Sequence, residues 1–226
     1  MTAVIVCGMP DEKRVLADAL RPGTLILSGT DKLHLPDLVP MSCTRLIGMG
    51  VCGGLSPRLV VPQIALATTV SRKTGAAALT DFDWNARAAA VAEQAGVTLH
   101  PVAYYSDGLE NEANDPAQRS ALFATYGAEA IDDELRFVVA EAKARDIPFN
   151  SVRPLSDDYR AKLPLLATGN IMNPDGSPNI AYLLSALGQD QGEGSESVFK
   201  VIDDYRQSLD ALEAVAKALA DLIASE

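Results

Sequence analysis

The stretch Ala130 to Asp158, AIDDELRFVVAEAKARDIPFNSVRPLSDD, constrains the fold of this chain more than any other. Leu135, Val138, Val139 and Ala142 recur at helical spacing, with Glu134, Arg136, Glu141 and Lys143 around them. Asp146-Ile147-Pro148 stops that helix, because the residue before a proline is pushed out of the α region. Phe149 to Leu155 then runs extended, and Glu129 to Asp132 is an extended run before the helix. Strand, helix and strand in succession predict a right-handed βαβ crossover with parallel strands. Such a unit puts Asp132, Asp133 and Glu134 at the end of one strand and Ser156, Asp157 and Asp158 at the same end of the other. Open α/β sheets bind their ligands at the carboxyl ends of strands. The alternative is that these acids only cap helices, where Asp and Ser are favoured. The pattern leaves both open.

The remaining segments fit the same class. Ala3 to Cys7 is a buried strand, Gly8-Met9-Pro10 a turn, and Asp11 to Leu20 a helix. Leu25 to Leu27 is a short strand, and His34 to Pro40 a proline-bounded loop. Thr44 to Met49 is apolar and precedes the glycine-rich turn Gly50-Val51-Cys52-Gly53-Gly54. Strands follow at Ile64 to Val70 and Thr98 to Tyr104, helices at Asn85 to Ala95, Asp115 to Tyr126 and Ile180 to Leu187. Gln189 to Glu196, QDQGEGSE, is the most loop-like segment. Val198, Ile202, Tyr205, Leu209, Leu212, Val215, Leu219 and Leu222 then form one apolar stripe on a last helix. That stripe predicts packing on the sheet; subunit contact is the alternative. No linker divides residues 1–226, so the expectation is a single α/β domain with a mixed, mostly parallel sheet flanked by helices.

The formal net charge of −11 argues against nucleic acid and anionic lipid as partners. Cys7, Cys43 and Cys52 are odd in number and lack CxxC spacing, as expected of reduced thiols in a cytoplasmic protein. His34 and His100 are the two histidines, so no metal site is expected, and no motif implies a cofactor. The opening MTAVIVCGMP has no basic region before its short apolar run, and predicts a first strand rather than a signal peptide. No apolar stretch is long enough to insert stably in a membrane.

Gly48-Met49-Gly50-Val51-Cys52-Gly53 matches G-x-G-x-x-G. A dinucleotide fingerprint should open a helix, but Pro57 and Pro62 follow, and no Asp or Glu lies between Asp37 and Asp81 for a ribose hydroxyl. Arg72 and Lys73 keep an NADP site as a minor alternative. The favoured expectation is a tight turn whose backbone N–H groups approach a small anion or a sugar. Glu12 and Arg14 follow the first strand; a carboxylate there serves as a base and an arginine holds an anion, unless both are merely solvated.

Taken together, four segments resemble the purine nucleoside phosphorylase and nucleosidase superfamily. AVIVCGMPDEKRVL resembles its first strand and helix, with Glu12 where the nucleosidases carry the glutamate that activates water. GMGVCGGLSPRLVVPQIALATTV resembles its glycine-rich turn, G-x-A-G-G-L followed by G-D-I. AIDDE resembles the sugar-binding V-D-M-E, and SVRPLSDD the V-R-x-I-S-D whose aspartate protonates the purine. NPDGSPNIAYLLSAL is similar to the hopanoid-associated branch, whose members cleave adenine from an adenosylated hopane lipid.

The resemblance implies cleavage of the N-glycosidic bond of a purine nucleoside or 5′-modified adenosine. Asp157 would be the general acid and Glu12 the base. Asp132, Asp133, Glu134, Ser156, Gly50, Val51 and Gly53 would bind the nucleoside, and Gly8 and Arg14 would bind phosphate if phosphate replaces water. For its role Asp157 needs a pKa raised by burial. It also implies a homo-oligomer, a dimer being expected. Departures are Asp133 for Met in the sugar signature, Val51 and Cys52 in the turn, and Pro62-Gln63 for G-D. Arg45 is the candidate for a second arginine, and Tyr104, Tyr105 and Phe82 for a ring stacked on the base. These departures keep open a noncatalytic nucleoside-binding protein on the same fold.

Overall fold

The computed structural model describes residues 2–107, 113, 115–161 and 194–226. Its order is β1 (Thr2–Val6), α1 (Pro10–Ala19), β2 (Leu25–Leu27), a 3-10 helix (Gly29–His34), α2 (Leu35–Leu38), β3 (Cys43–Met49), β4 (Cys52–Gly54), β5 (Ile64–Ser71) and β6 (Ala78–Leu79). There follow α3 (Phe82–Gln94), β7 (Leu99–Tyr105), α4 (Pro116–Tyr126), β8 (Ala130–Ile131), α5 (Leu135–Arg145), β9 (Phe149–Asp157) and α6 (Gly194–Ala224). The predicted helix at 180–187 and most of the loop-like 189–196 lie outside the described residues; Gly194 to Glu196 are helical.

The sheet runs β2-β1-β3-β9-β4-β8-β7-β5-β6, and β9 also pairs with β5. That extra pairing closes β9, β4, β8, β7 and β5 into a ring, with β3, β1 and β2 extending from it in parallel. The two-residue alternation of strands sorts the core. In β1, Val4 and Val6 face the side covered by α5, with Leu135, Val138 and Ala142. Ala3, Ile5 and Cys7 face the other side, where Trp84 of α3 and Leu212, Val215 and Leu219 of α6 pack. The α6 stripe from Leu209 to Leu222 therefore lies on the sheet, whereas Ile202 is 49% exposed.

The predicted βαβ crossover needs correction. β8 pairs parallel with β7 and antiparallel with β4, whereas β4 is parallel to β9. So β8 and β9 are antiparallel, and α5 joins strands separated by β4. The chain had no local signal for this, because β4 is inserted from far upstream. The segment expected as loop around His34 to Pro40 instead forms the 3-10 helix and α2, with Leu35 buried as their anchor. The run Gly48 to Gly53 crosses from β3 into β4, and no helix follows Gly53. Gly53 is a ladder residue, opposite both Ile131 and Asp157, so the dinucleotide geometry is absent.

Candidate active site

Three carboxylates meet at the end of β1 and β3. α1 starts at Pro10 directly after the Gly8-Met9 turn, which puts Glu12 in its first turn and folds that side chain back over the turn. Glu12 Oε2 accepts the backbone N–H of Gly8 at 2.7 Å and of Met9 at 2.9 Å. Its Oε1 accepts the N–H of Val51 at 2.9 Å. The glycine turn thus approaches an anion as anticipated, but that anion is the protein's own carboxylate. Gly50 is required for close approach: a Cβ there would sit 2.8 Å from Glu12 Oε2 and from Arg153 Nη1.

Asp132 and Glu134 come from the turn between β8 and α5. Asp132 Oδ1 accepts the N–H of Leu135 at 2.6 Å, so it does cap a helix, as one of the two sequence alternatives holds. Its other oxygen pairs with Arg153 Nη1 at 2.7 Å, so it belongs to the charge cluster as well. Glu134 Oε2 lies 3.7 Å from the same nitrogen, and Glu134 Oε1 lies 2.8 Å from Lys32 Nζ. Because β8 opposes β9 in direction, the chain from Ile131 to Glu134 runs back along β9 from Asp157 toward Arg153. That is how two antiparallel strands still bring their acids to one surface.

Arg153 is the residue the motifs underuse. It sits in the buried part of β9, is itself fully buried, and donates from Nη1 to Val51 O at 3.1 Å. A charged side chain in the middle of a nine-residue buried strand is the signal that could have identified it. Three carboxylates, Glu12, Asp132 and Glu134, face two cations, Arg153 and Lys32, so the cluster favours keeping one proton. Burial pushes Asp132 well up, against the pull of Arg153. Burial also raises Glu12, against Arg153 and its backbone donors. For Glu134 burial is overcome by Arg153, the hydrogen bond from Asp132 and Lys32, which hold it down to about 2.

A second group lies four residues along β9, about 13 Å of extended strand. Asp157 is ion-paired with Arg119, a fully buried arginine of α4. Its Oδ2 accepts the hydroxyl of Ser156 at 2.8 Å. Arg119 also donates to Ala113 O at 2.8 Å, Gly54 O at 2.9 Å and Asp158 O at 3.0 Å, clamping the strand ends around the acid. The β4–β9 register shifts between Leu155 and Asp157, so that Asp157 lies opposite Gly53 while Leu155 lies opposite Cys52. Nothing in local sequence marked Arg119, which stands 38 residues before its partner and looks like one more polar residue of an amphipathic helix. Tyr205 of α6 was also missed. Its hydroxyl lies 3.9 Å from Met9 Sδ, and burial with the charge of Glu12 raises its phenol.

Several expected members stand elsewhere. Arg14 is mostly exposed and pairs with Asp11 at 3.0 Å, one helical turn away, so it does not reach the cluster. Arg45, at the start of β3, is held by Asp81, Asn150 and Glu226 at the far end of the sheet. Phe82 is 81 % exposed at that same end, beside a groove of about 520 Å³ between β6 and α5. Tyr104 and Tyr105 are buried; Tyr104 bonds Cys52, and Tyr105 packs on Tyr126. Asp133 is half-buried at the turn. Among the described residues no group of His, Cys, Asp and Glu is arranged to hold a metal, and no helix is long and apolar enough to cross a membrane.

The chain belongs to the phosphorylase superfamily, whose sequence model matches residues 3–167. Its fold is similar to futalosine hydrolase of Helicobacter pylori strain 26695, in a mutant form, at 12% identity and TM-score 0.70, covering 98% of this chain and 100% of that one. It is similar to the 5′-methylthioadenosine/S-adenosylhomocysteine nucleosidase of Neisseria meningitidis, at 12% identity and TM-score 0.68, covering 98% and 100%. The Campylobacter jejuni 5′-methylthioadenosine/S-adenosylhomocysteine nucleosidase matches at 14% identity and TM-score 0.65, covering 96% and 99%. No curated protein matches the sequence significantly.

Proposed function

We propose that the protein hydrolyses the N-glycosidic bond of a purine nucleoside or 5′-modified adenosine, with water as the nucleophile. One observation carries the choice of water. The backbone donors at Gly8, Met9 and Val51, which would otherwise hold a phosphate, are taken by Glu12. Arg14, the candidate anion holder, turns away. A carboxylate whose pKa is raised by burial is a stronger proton acceptor than an exposed one, as activation of water requires. The structurally similar proteins named above as nucleosidases and as a futalosine hydrolase support the same reaction class.

The remaining residues take roles along β9. The breaking bond leaves an oxocarbenium-like sugar, which the ionised Glu134 stabilises while accepting its hydroxyls. Asp157, some four strand residues away, delivers the proton to the leaving base, with Ser156 as its neighbour. Arg153 keeps the three carboxylates together without their mutual repulsion opening the site. Gly50, Val51 and Gly53 form the wall between the two acidic groups; Asp132 acts through Arg153 and the α5 start.

A second reading, a noncatalytic nucleoside-binding protein, is favoured by one specific contact. Both Asp157 oxygens are engaged, one by Arg119 and one by Ser156, so donation requires one contact to be exchanged for the base. The deciding experiment incubates the protein with adenosine, inosine, methylthioadenosine, S-adenosylhomocysteine and an adenosylated hopane, with and without phosphate. Free base and reducing sugar at equal rates in both conditions support hydrolysis. Sugar 1-phosphate formed only with phosphate refutes the water assignment. A ligand-induced rise in Tm with no base released supports the noncatalytic reading. The hopane arm rests on residues 173–187, which lie outside the described residues.

A further inference from the structure

We propose that Lys32 is a positioning residue of this site, one that no motif contains: its ammonium holds Oε1 of Glu134 and leaves Oε2 to the sugar of the bound nucleoside. The sugar role rests on the function proposed above. The contact itself does not.

Lys32 comes from the 3-10 helix after β2, an element tied to the site by its own backbone. Gly29 donates its N–H to Gly8 O at 3.0 Å, and Ser28 donates to Asp31 Oδ2 at 3.1 Å, fixing the start of the helix. Leu35, just beyond, is buried under α5. The lysine is therefore delivered by an anchored turn. Its ammonium meets Glu134 Oε1 at 2.8 Å, with side chains only 24% and 16% exposed. An exposed lysine–carboxylate pair contributes little, but this one closes a partly buried cluster in which Arg153 alone faces three carboxylates.

The surroundings of Glu134 separate its two oxygens. Oε1 is wedged between Lys32 and Gly8; a Cβ at Gly8 would lie 2.9 Å from it. Oε2 is the looser oxygen, 3.7 Å from Arg153 Nη1, beyond ordinary hydrogen-bond length. A sugar hydroxyl donates best to an ionised acceptor of fixed direction. Lys32 provides both conditions: it adds the second positive charge and it pins the carboxylate plane. Removing it leaves Glu134 free to rotate and better able to take over the proton that Asp132 already donates to it, so the hydroxyl loses its ionised acceptor.

The test has two arms. In the first, protein carrying ¹³C-carboxyl glutamate is titrated by NMR without ligand, with Glu134→Gln supplying the assignment. Lys32→Met should raise the Glu134 midpoint by about one unit, as expected for loss of one nearby opposite charge, and Lys32→Arg should restore it. In the second, KM is measured for a ribonucleoside and for its 2′,3′-dideoxy analogue. Lys32→Met should raise KM about tenfold for the ribonucleoside, the scale of one charge-assisted hydrogen bond, and leave the dideoxy analogue unchanged. An unmoved Glu134 midpoint, or equal effects on both sugars, overturns the proposal. If the unsubstituted protein cleaves no nucleoside, the functional reading fails, and the NMR arm alone decides whether Lys32 holds Glu134.

Discussion

Replacing Arg153 by Met tests the site's electrostatics without assuming any activity. The guanidinium is 0% exposed. It lies 2.7 Å from Asp132 and 3.7 Å from Glu134, and its charge also acts on Glu12. Methionine roughly fills the space but leaves those carboxylates, among the described residues, with Lys32 as the cation in contact. Breaking a buried pair by removing one partner costs about 3–5 kcal/mol, a large part of the about 5–15 kcal/mol that holds a domain together. For a chain of this length each kcal/mol is about 2–4 °C, so Tm should fall by about 6–20 °C at neutral pH. The pH dependence identifies the cause. In the native protein Glu134 is held down to about 2, so it adds stability above its unfolded value of about 4.3, lost as pH falls through about 2. Without Arg153 that contribution shrinks to what Lys32 and the Asp132 hydrogen bond supply, and Asp132 and Glu12, already raised by burial, rise further. A raised carboxyl destabilises the fold increasingly as pH rises through its folded value. The variant's folded state therefore binds more protons, and its deficit should be smallest near pH 4 and grow toward pH 8. Thermal melts of both proteins across that range measure it. Two stability curves that run parallel with pH would show that lost packing, not charge, sets the cost, and would refute the reasoning.

Glu12→Gln should lower turnover by about 10²–10⁴-fold, the range of general base catalysis, with little change in substrate affinity; initial rates of base release check it. Asp157→Asn should lower kcat by a similar factor with a smaller effect on KM, because its proton is needed only as the bond breaks. Asp158→Asn should be mild, since Asp158 Oδ1 is occupied by the N–H of Arg160 on the following turn; interchanged effects of the two aspartates would show that the acid is misassigned. A dimer is expected, with Met41, Leu79 and Phe82 as exposed apolar side chains available for burial; a light-scattering mass of one chain at micromolar concentration would contradict it.

The sequence by itself determined the local elements and the acids of the site. The spacing of Leu135, Val138, Val139 and Ala142 is a helix with one buried face, and that is α5. The α6 stripe was legible for the same reason: helical periodicity depends only on near neighbours. Glu12, Asp132 and Glu134 were legible because they sit in short motifs whose backbone turns place them, and the structure brings those three together. The tertiary structure decided strand direction and charge partners. A strand's neighbour depends on the whole sheet, so the insertion of β4 reversed the relation between β8 and β9. An ion pair depends on distance through space, which chain spacing does not encode. Lys32 stands 102 residues from Glu134, and Arg119 meets Asp157 from a different helix. Arg14, two residues from Glu12, was the natural candidate for an anion holder, yet about half a helical turn is enough to point it into solvent.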